Sequence, residues 1–198
     1  MAKRLFDWVM SSLGLLALSP LLLAMALLVK LDSPGPVFFR QERVGRYGKP
    51  FRIHKFRTMR FDPADQGRQI TVGADERITR VGAVLRATKL DELAQLIDVW
   101  LGDMSLVGPR PEVPRYVAQY PAELRDKVLS VRPGITDIAS IEYRDESAVL
   151  ALAHDPEQAY LHEVLPHKLR LAARYVDQAS LALDISLILR TIAVVMWR

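Results

Sequence analysis

Cysteine is absent from the 198 residues, which removes disulfides, thiolate metal sites and cysteine nucleophiles from consideration. Histidine is scarce, and His154, His162 and His167 show no metal-ligand spacing, so they read as surface residues. No charged residue occurs between Trp8 and Val29, and no internal repeat or low-complexity tract is present. Acids are nearly missing from residues 37–60, where Arg40, Arg43, Arg46, Lys49, Arg52, Lys55, Arg57 and Arg60 face only Glu42. What remains is a chain long enough for one domain with a real core. Its net charge of +4 and pI near 9.5 point to anionic partners. Half the residues are hydrophobic, and the excess sits at the two ends.

The uncharged run WVMSSLGLLALSPLLLAMALLV is long enough to span a bilayer, which needs about 20 residues. No small-residue cleavage pattern follows before Lys30, so a signal peptide is disfavoured. Ser19-Pro20 falls at the centre, where proline removes a helical hydrogen bond. Basic residues flank both ends: Lys3 and Arg4 before, then Lys30, Arg40, Arg43 and Arg46. A straight crossing cannot keep both flanks on the cytoplasmic side; a helix that dips in, breaks at Ser19-Pro20 and returns can. The reading therefore favours a re-entrant helix-break-helix anchor over residues 1–32, with residues 33–198 forming a domain at the cytoplasmic face.

After the Ser33-Pro34-Gly35-Pro36 break, β-prone runs at Val37–Gln41 and Pro50–Phe56 flank a turn at Gly45–Gly48, which predicts a hairpin or an irregular extended pair. Its cations suit anionic lipid headgroups. No nucleic-acid-binding motif accompanies them, so a nucleic-acid partner is not expected. Residues 61–75 are polar and turn-rich and read as a loop closing over a ligand. Residues 76–85 read as a short helix or turn leading to Arg86.

The stretch TKLDELAQLIDVWLGDMSLVGPRPE (residues 88–112) organises the rest. Leu90, Leu93, Leu96, Ile97, Trp100 and Leu101 recur at helical spacing, with Thr88 as N-cap and Gly102 as stop. Asp91 and Glu92 then fall in the first turn, beside free N–H groups and the positive dipole end. Acids also occur there for capping alone. Arg86 upstream and Arg110 in Gly108-Pro109-Arg110-Pro111 raise a second reading: carboxylates that attack phosphorus or hold Mg²⁺, with arginines taking oxyanion charge. Downstream, Pro114–Leu129 reads as helical. Val131-Arg132-Pro133-Gly134 is a second basic turn, either ordinary or leaving N–H groups free for an anion. Residues 145–163 read as a short acidic helix. The final run SLALDISLILRTIAVVMWR is interrupted by Asp184 and Arg190, so it suits an interfacial amphipathic helix or a core helix equally.

Together these motifs resemble the bacterial sugar transferase family, the small monotopic phosphoglycosyl transferases. The resemblance rests on the Ser19-Pro20 break, FFRQERVGRYGKPFRIHKFRTM, DERITRVGAVLRATKLDEL, SLVGPRPE and RPGIT, and covers nearly the whole chain. It implies an α/β fold, mainly helical with a small β-hairpin element, held monotopically on the bacterial inner membrane with its site facing the cytoplasm. It implies transfer of a sugar-1-phosphate from a UDP-sugar to polyprenol phosphate, with Mg²⁺, feeding membrane-bound polysaccharide assembly. Asp91 would attack the sugar-side phosphorus and release UMP; Glu92 would orient the metal and Asp91, or handle the acceptor's proton. Lys55, Arg86 and Arg110 would contact phosphates, and Arg57 and Arg132 complete the candidate substrate-binding set. Membrane phospholipid is a further expected partner, and a homodimer is compatible with this reading. Two positions depart from the family pattern, Ala94 for proline and Asp137 for glycine. The competing readings are a membrane-anchored basic interaction module and a one-step transferase acting through a ternary complex, in which the carboxylates only hold metal.

Overall fold

In the computed structural model, which describes residues 1–60, 75–144 and 146–196, one helix takes up the whole apolar N-terminal stretch: α1, Ala2–Asp32. Leucine, alanine and methionine favour helix throughout. The helix runs without interruption through Pro20, where a break was expected. Proline brings no N–H to Leu16, and the Ser19 hydroxyl donates to that carbonyl instead, at 2.8 Å. One face of α1 is buried at helical period, at Asp7, Ser11, Met25 and Val29, and Gly14 abuts Leu96. The other face exposes large apolar side chains, including Leu5, Trp8, Leu13, Leu16, Leu23, Leu27 and Leu31. By length and hydropathy α1 could cross a membrane.

Both ends of α1 are bonded to the same body. At the first turns, Asp7 accepts from the Ser105 hydroxyl (2.9 Å) and the Leu106 N–H (3.2 Å), and Lys3 pairs with Asp184 at 2.5 Å. At the far end, Asp32 accepts from the Val81 N–H at 3.0 Å. Arg57 there donates to the carbonyls of Val29, Ser33, Pro34 and Pro36 and to the Ser33 hydroxyl. These bonds satisfy carbonyls that a helix C-terminus leaves open.

The expected hairpin forms in two antiparallel segments. β1 (Phe38–Phe39) pairs with β4 (Lys55–Phe56), and β2 (Glu42–Val44) pairs with β3 (Pro50–Arg52). Phe38 and Phe56 join Met25, Val29, Leu85 and Ala94 in a cluster that packs α1 onto the body. The polar loop anticipated at 61–75 falls, apart from Asp75, outside the described residues.

The helix expected to start at Thr88 begins later. α2 (Arg80–Thr88) is capped by Thr79, whose hydroxyl oxygen accepts from the Gly82 N–H. Thr88 closes α2, its hydroxyl donating to the Val84 carbonyl, and Lys89 turns the chain at φ 58°. A 3-10 helix, Leu90–Gln95, then leads into α3 (Leu96–Leu101), which Gly102 ends at φ 97° as anticipated.

β5 (Ser105–Val107) and β6 (Gly134–Thr136) form a parallel pair. At its edge the SLVG and RPGIT backbones touch: a Cβ on Gly134 would stand 2.1 Å from the Gly108 nitrogen. The Gly134 N–H donates to the Pro109 carbonyl at 3.0 Å, so it is not free for an anion. Between the strands, Pro121 splits the expected long helix into α4 (Pro114–Val117) and α5 (Ala122–Val128). After β6 come α6 (Ile138–Glu142), α7 (Glu146–Ala151) and α8 (Pro156–Ala159). A π-helical turn (Tyr160–Val164) then leads to α9 (Leu165–Gln178) and α10 (Leu181–Met196). α10 turns Asp184 and Leu187 inward and exposes Leu181, Ile185, Leu189, Ile192 and Val195. It thus serves as a core helix on one face and is apolar and open on the other. The fold is mostly helical with small sheets.

Candidate active site: a carboxylate pair between two cations

Lys89 and the 3-10 turn aim Asp91 and Glu92 at side chains from two other segments. Lys55, on β4, places Nζ 2.9 Å from Asp91 Oδ2 and 3.2 Å from Glu92 Oε1. Arg110, in the turn after β5, donates to both Glu92 oxygens, Nη2 to Oε1 at 2.6 Å and Nη1 to Oε2 at 3.1 Å. Burial pushes the Glu92 carboxyl up, but Arg110 and then Lys55 outweigh it and hold it well below its ordinary value. Glu92 raises Arg110 in return. Asp91 is 1% exposed, and its Oδ1 has no hydrogen-bond partner. A buried, unpartnered carboxylate oxygen costs about 1–3 kcal/mol, more when charged, and it marks where a ligand would gain most.

Mg²⁺ would find one open carboxylate ligand there. The ion commonly takes one or two carboxylates and completes its shell with substrate phosphates and water, and Asp91 Oδ1 is the carboxylate lone pair left open. Both Glu92 oxygens are already taken by Lys55 and Arg110.

The turn that carries Arg110 is fixed from two sides. The Arg110 N–H donates to Asp137 Oδ2 at 3.3 Å, while Asp137 Oδ1 caps α6 by accepting from Ser140 N–H at 2.7 Å. The departure from glycine at 137 therefore puts a buried carboxylate under the turn. On the other side, buried Glu112 accepts from the Tyr160 hydroxyl at 2.5 Å, with Lys168 Nζ at 3.5 Å and Arg43 Nη1 at 3.7 Å. Lys168 reaches on to Glu146 at 3.0 Å, and Arg43 also donates to the Pro111 carbonyl. Burial raises the Glu112 carboxyl, and Lys168 and Arg43 outweigh it, so the group is held below its ordinary value. Burial, with Glu112 beside it, pushes the Tyr160 hydroxyl up, so it stays a donor.

Lys55 has its own support. Its neighbour His54 donates its backbone N–H to Asp98 Oδ2 at 2.8 Å, and its Nδ1 lies 2.6 Å from Asp98 Oδ1. Asp98 is fully buried on α3, which ties β4 to the helix that follows Asp91 and Glu92.

Of the predicted site residues, the structure brings together Asp91, Glu92, Lys55 and Arg110. Arg57 is buried beneath the end of α1, its donors on carbonyls and a hydroxyl there. Arg86 lies half-buried on the last turn of α2. Arg132 precedes β6; its guanidinium turns away to donate to the Gly102 carbonyl at 2.8 Å, while its own carbonyl lies against Gly108, two residues before Arg110. Sequence reasoning assigned no role to Glu112, Tyr160, Lys168 or the His54–Asp98 pair. The one available signal was Glu112 itself, an acid closing the basic SLVGPRPE motif.

Comparison with known proteins supplies the remaining context. The chain is 38% identical over 196 residues to a UDP-N-acetylgalactosamine-undecaprenyl-phosphate N-acetylgalactosaminephosphotransferase of Aeromonas hydrophila, covering 98% of this chain and 43% of that protein. It is 39% identical over 193 residues to the UDP-glucose:undecaprenyl-phosphate glucose-1-phosphate transferase of Escherichia coli K12, covering 96% and 39%. A Caulobacter vibrioides protein of the same name is 38% identical over 203 residues, covering 96% and 68%. The chain thus spans about two fifths of the first two relatives. The family profile described as bacterial sugar transferase matches residues 1–198. With that match running from end to end, the chain belongs to the bacterial sugar transferase family.

Proposed function

We propose that this chain is a phosphoglycosyl transferase. It moves a sugar-1-phosphate from a UDP-sugar to undecaprenyl phosphate, as the names of its relatives state for those proteins. The observation that carries the reading is the free oxygen of Asp91, held beside a Glu92 already gripped by Arg110. Asp91 attacks the sugar-bearing phosphorus. The bond from that phosphorus to the bridging oxygen breaks, UMP leaves, and a sugar-phosphoryl-aspartate remains. A phosphate oxygen of the polyprenol acceptor then attacks the same phosphorus, frees Asp91 and forms the polyprenol diphosphate sugar. Splitting one displacement into two is the advantage of a covalent nucleophile. Lys55 and Arg110 stabilise charge on the phosphoryl oxygens, and Glu92 fixes both cations. Bound at Asp91, Mg²⁺ would neutralise the diphosphate and supply Lewis acidity.

The placement on the membrane is also proposed. α1, unbroken at Pro20, would lie along the cytoplasmic leaflet as a monotopic anchor, with α10 in the interface and the site on the cytoplasmic face. The support is that both ends of α1 bond to one body while its outer face is apolar. A straight span would need one end on the far side of about 30 Å of hydrocarbon.

The test is UMP release by the purified chain in nanodiscs, offered a panel of UDP-sugars with polyprenol phosphate and Mg²⁺. Release with one donor, lost in Asp91→Asn, supports the reading. A phospho-sugar adduct on Asp91 by mass spectrometry without acceptor supports the covalent step; release that strictly requires acceptor favours a ternary complex. No release with any donor would leave a basic membrane module as the better account.

A further inference from the structure

Two arginines from distant segments meet at the end of α3, and the charge of a third, Arg46, reaches one of them. Arg4 donates to the carbonyls of Val99 (2.6 Å) and Trp100 (3.0 Å). Arg132 donates through Nε to the Gly102 carbonyl, and a Cβ on that glycine would stand 3.0 Å from Arg4 Nη2. Both guanidinium groups therefore stand at one turn. Arg46 donates through Nε to the Ser130 carbonyl, two residues before Arg132, and its guanidinium lies 4.4 Å from the Tyr47 ring centre.

Capping explains part of this, since cations near a helix C-terminus satisfy its open carbonyls. It does not explain the missing counter-charge. Among the described residues, none of the three arginines has an acid within ion-pair distance, whereas adjacent Lys3 is paired with Asp184. Asp7 is the acid whose charge reaches Arg132, but it lies beyond ion-pair distance, with its oxygens accepting from Ser105 and the Leu106 N–H. Burial, then the facing charges of Arg4 and Arg46, lower the proton affinity of Arg132. Such a cluster gains from an anion with several acceptor oxygens.

The rim says which anion. Trp100 and Leu101 on α3, and Leu5 and Trp8 on α1, are exposed beside the arginines. Indoles set at the edge of an apolar surface suit headgroup depth, and arginines just above them suit phosphate there. A soluble phosphate would need no such rim.

We propose that Arg4, Arg46 and Arg132 form a site for the phosphodiester of an anionic phospholipid, whose acyl chains run down past Trp8, Trp100 and Leu101. The inference rests on the monotopic placement proposed above. The site fixes the first turns of α1 and the end of α3 at headgroup depth. Asp91, ten residues back along the 3-10 and α3 helices, then lies about 15–20 Å along the same surface.

The test is partitioning of the full chain, diluted from detergent, into vesicles of phosphatidylcholine alone or with phosphatidylglycerol added. Arg132→Gln and Arg46→Gln are compared with Arg170→Gln, which removes one exposed charge from α9. Wild type and Arg170→Gln are expected to prefer the phosphatidylglycerol vesicles. Arg132→Gln and Arg46→Gln each lose about five-fold of that preference and keep full binding to phosphatidylcholine. Should Arg132→Gln fail to fold, Arg46→Gln, which gives up only the Ser130 carbonyl and the Tyr47 ring, carries the comparison. Equal losses in all three variants, or no lipid preference in wild type, would overturn the headgroup site while leaving the membrane placement standing. Failure to bind either vesicle would overturn the placement itself.

Discussion

Arg110 closes on Glu92 with two parallel hydrogen bonds, 2.6 and 3.1 Å, one to each carboxylate oxygen. The grip divides labour between adjacent acids. Both Glu92 oxygens are held by cations, while Asp91 gives Oδ2 to Lys55 and keeps Oδ1 without a partner. Geometry thus separates the acid that holds from the acid that can react.

Lysine cannot reproduce that planar fork. Arg110→Lys is therefore expected to lower kcat by roughly 10²-fold, within the range for loss of one oxyanion donor. Steady-state UMP release checks it; a loss below three-fold would mean the fork is dispensable.

Lys55→Met leaves Asp91 buried without its cation. The predicted result is a fall in activity on the order of 10²–10³, together with a stability loss of about 3 kcal/mol, the lower end for a broken buried ion pair. Denaturant unfolding beside the UMP assay reads both. Asp91→Asn should abolish turnover, with a much smaller stability change than Lys55→Met.

Tyr160→Phe removes the shortest bond to Glu112 and leaves that carboxylate short of a donor. The expected cost is about 1–3 kcal/mol of stability. Activity should fall mainly in kcat, because the turn that carries Arg110 loosens. A double-mutant cycle with Lys168→Met should show coupling between the two donors; strict additivity would mean that Glu112 is not their common partner.

Acid should weaken the site in a defined direction. The folded Glu92 carboxyl sits below its unfolded value of about 4.3, so the folded state binds fewer protons. Its stabilising contribution is complete above that value and is lost as pH falls through the lower, folded one. Thermal melts below about pH 4.3 should drop more steeply in wild type than in Glu92→Gln.

Much of this was legible in the residues. The period of Leu93, Leu96, Ile97 and Trp100 and the stop at Gly102 announced α3, and the glycine-containing turn announced the hairpin. The start of that helix was not legible, because Lys89 ends α2 in a left-handed conformation that is uncommon for a non-glycine residue and leaves no mark in the sequence. Arginines were the hardest to sort. Arg57 and Arg110 both sit in basic motifs, yet one is spent on carbonyls at the end of α1 and the other on Glu92. A guanidinium's partners depend on which segments meet, and spacing along the chain carries no record of that. Pro20 misled for a related reason: its missing N–H was visible, but the Ser19 hydroxyl that stands in for it was credited as part of the break.

Met25 and Val29 pack on Phe56, Leu85 and Ala94, and Asp7 is bonded beneath β5. Trimming residues 1–32 to obtain a water-soluble catalyst should therefore fail. The shortened chain would bare the apolar side of the segments that carry Lys55 and Asp91, and should aggregate on expression. Solubilisation has to work from the outside, by recoding outward leucines such as Leu16, Leu23 and Leu27 while the inward stripe stays untouched.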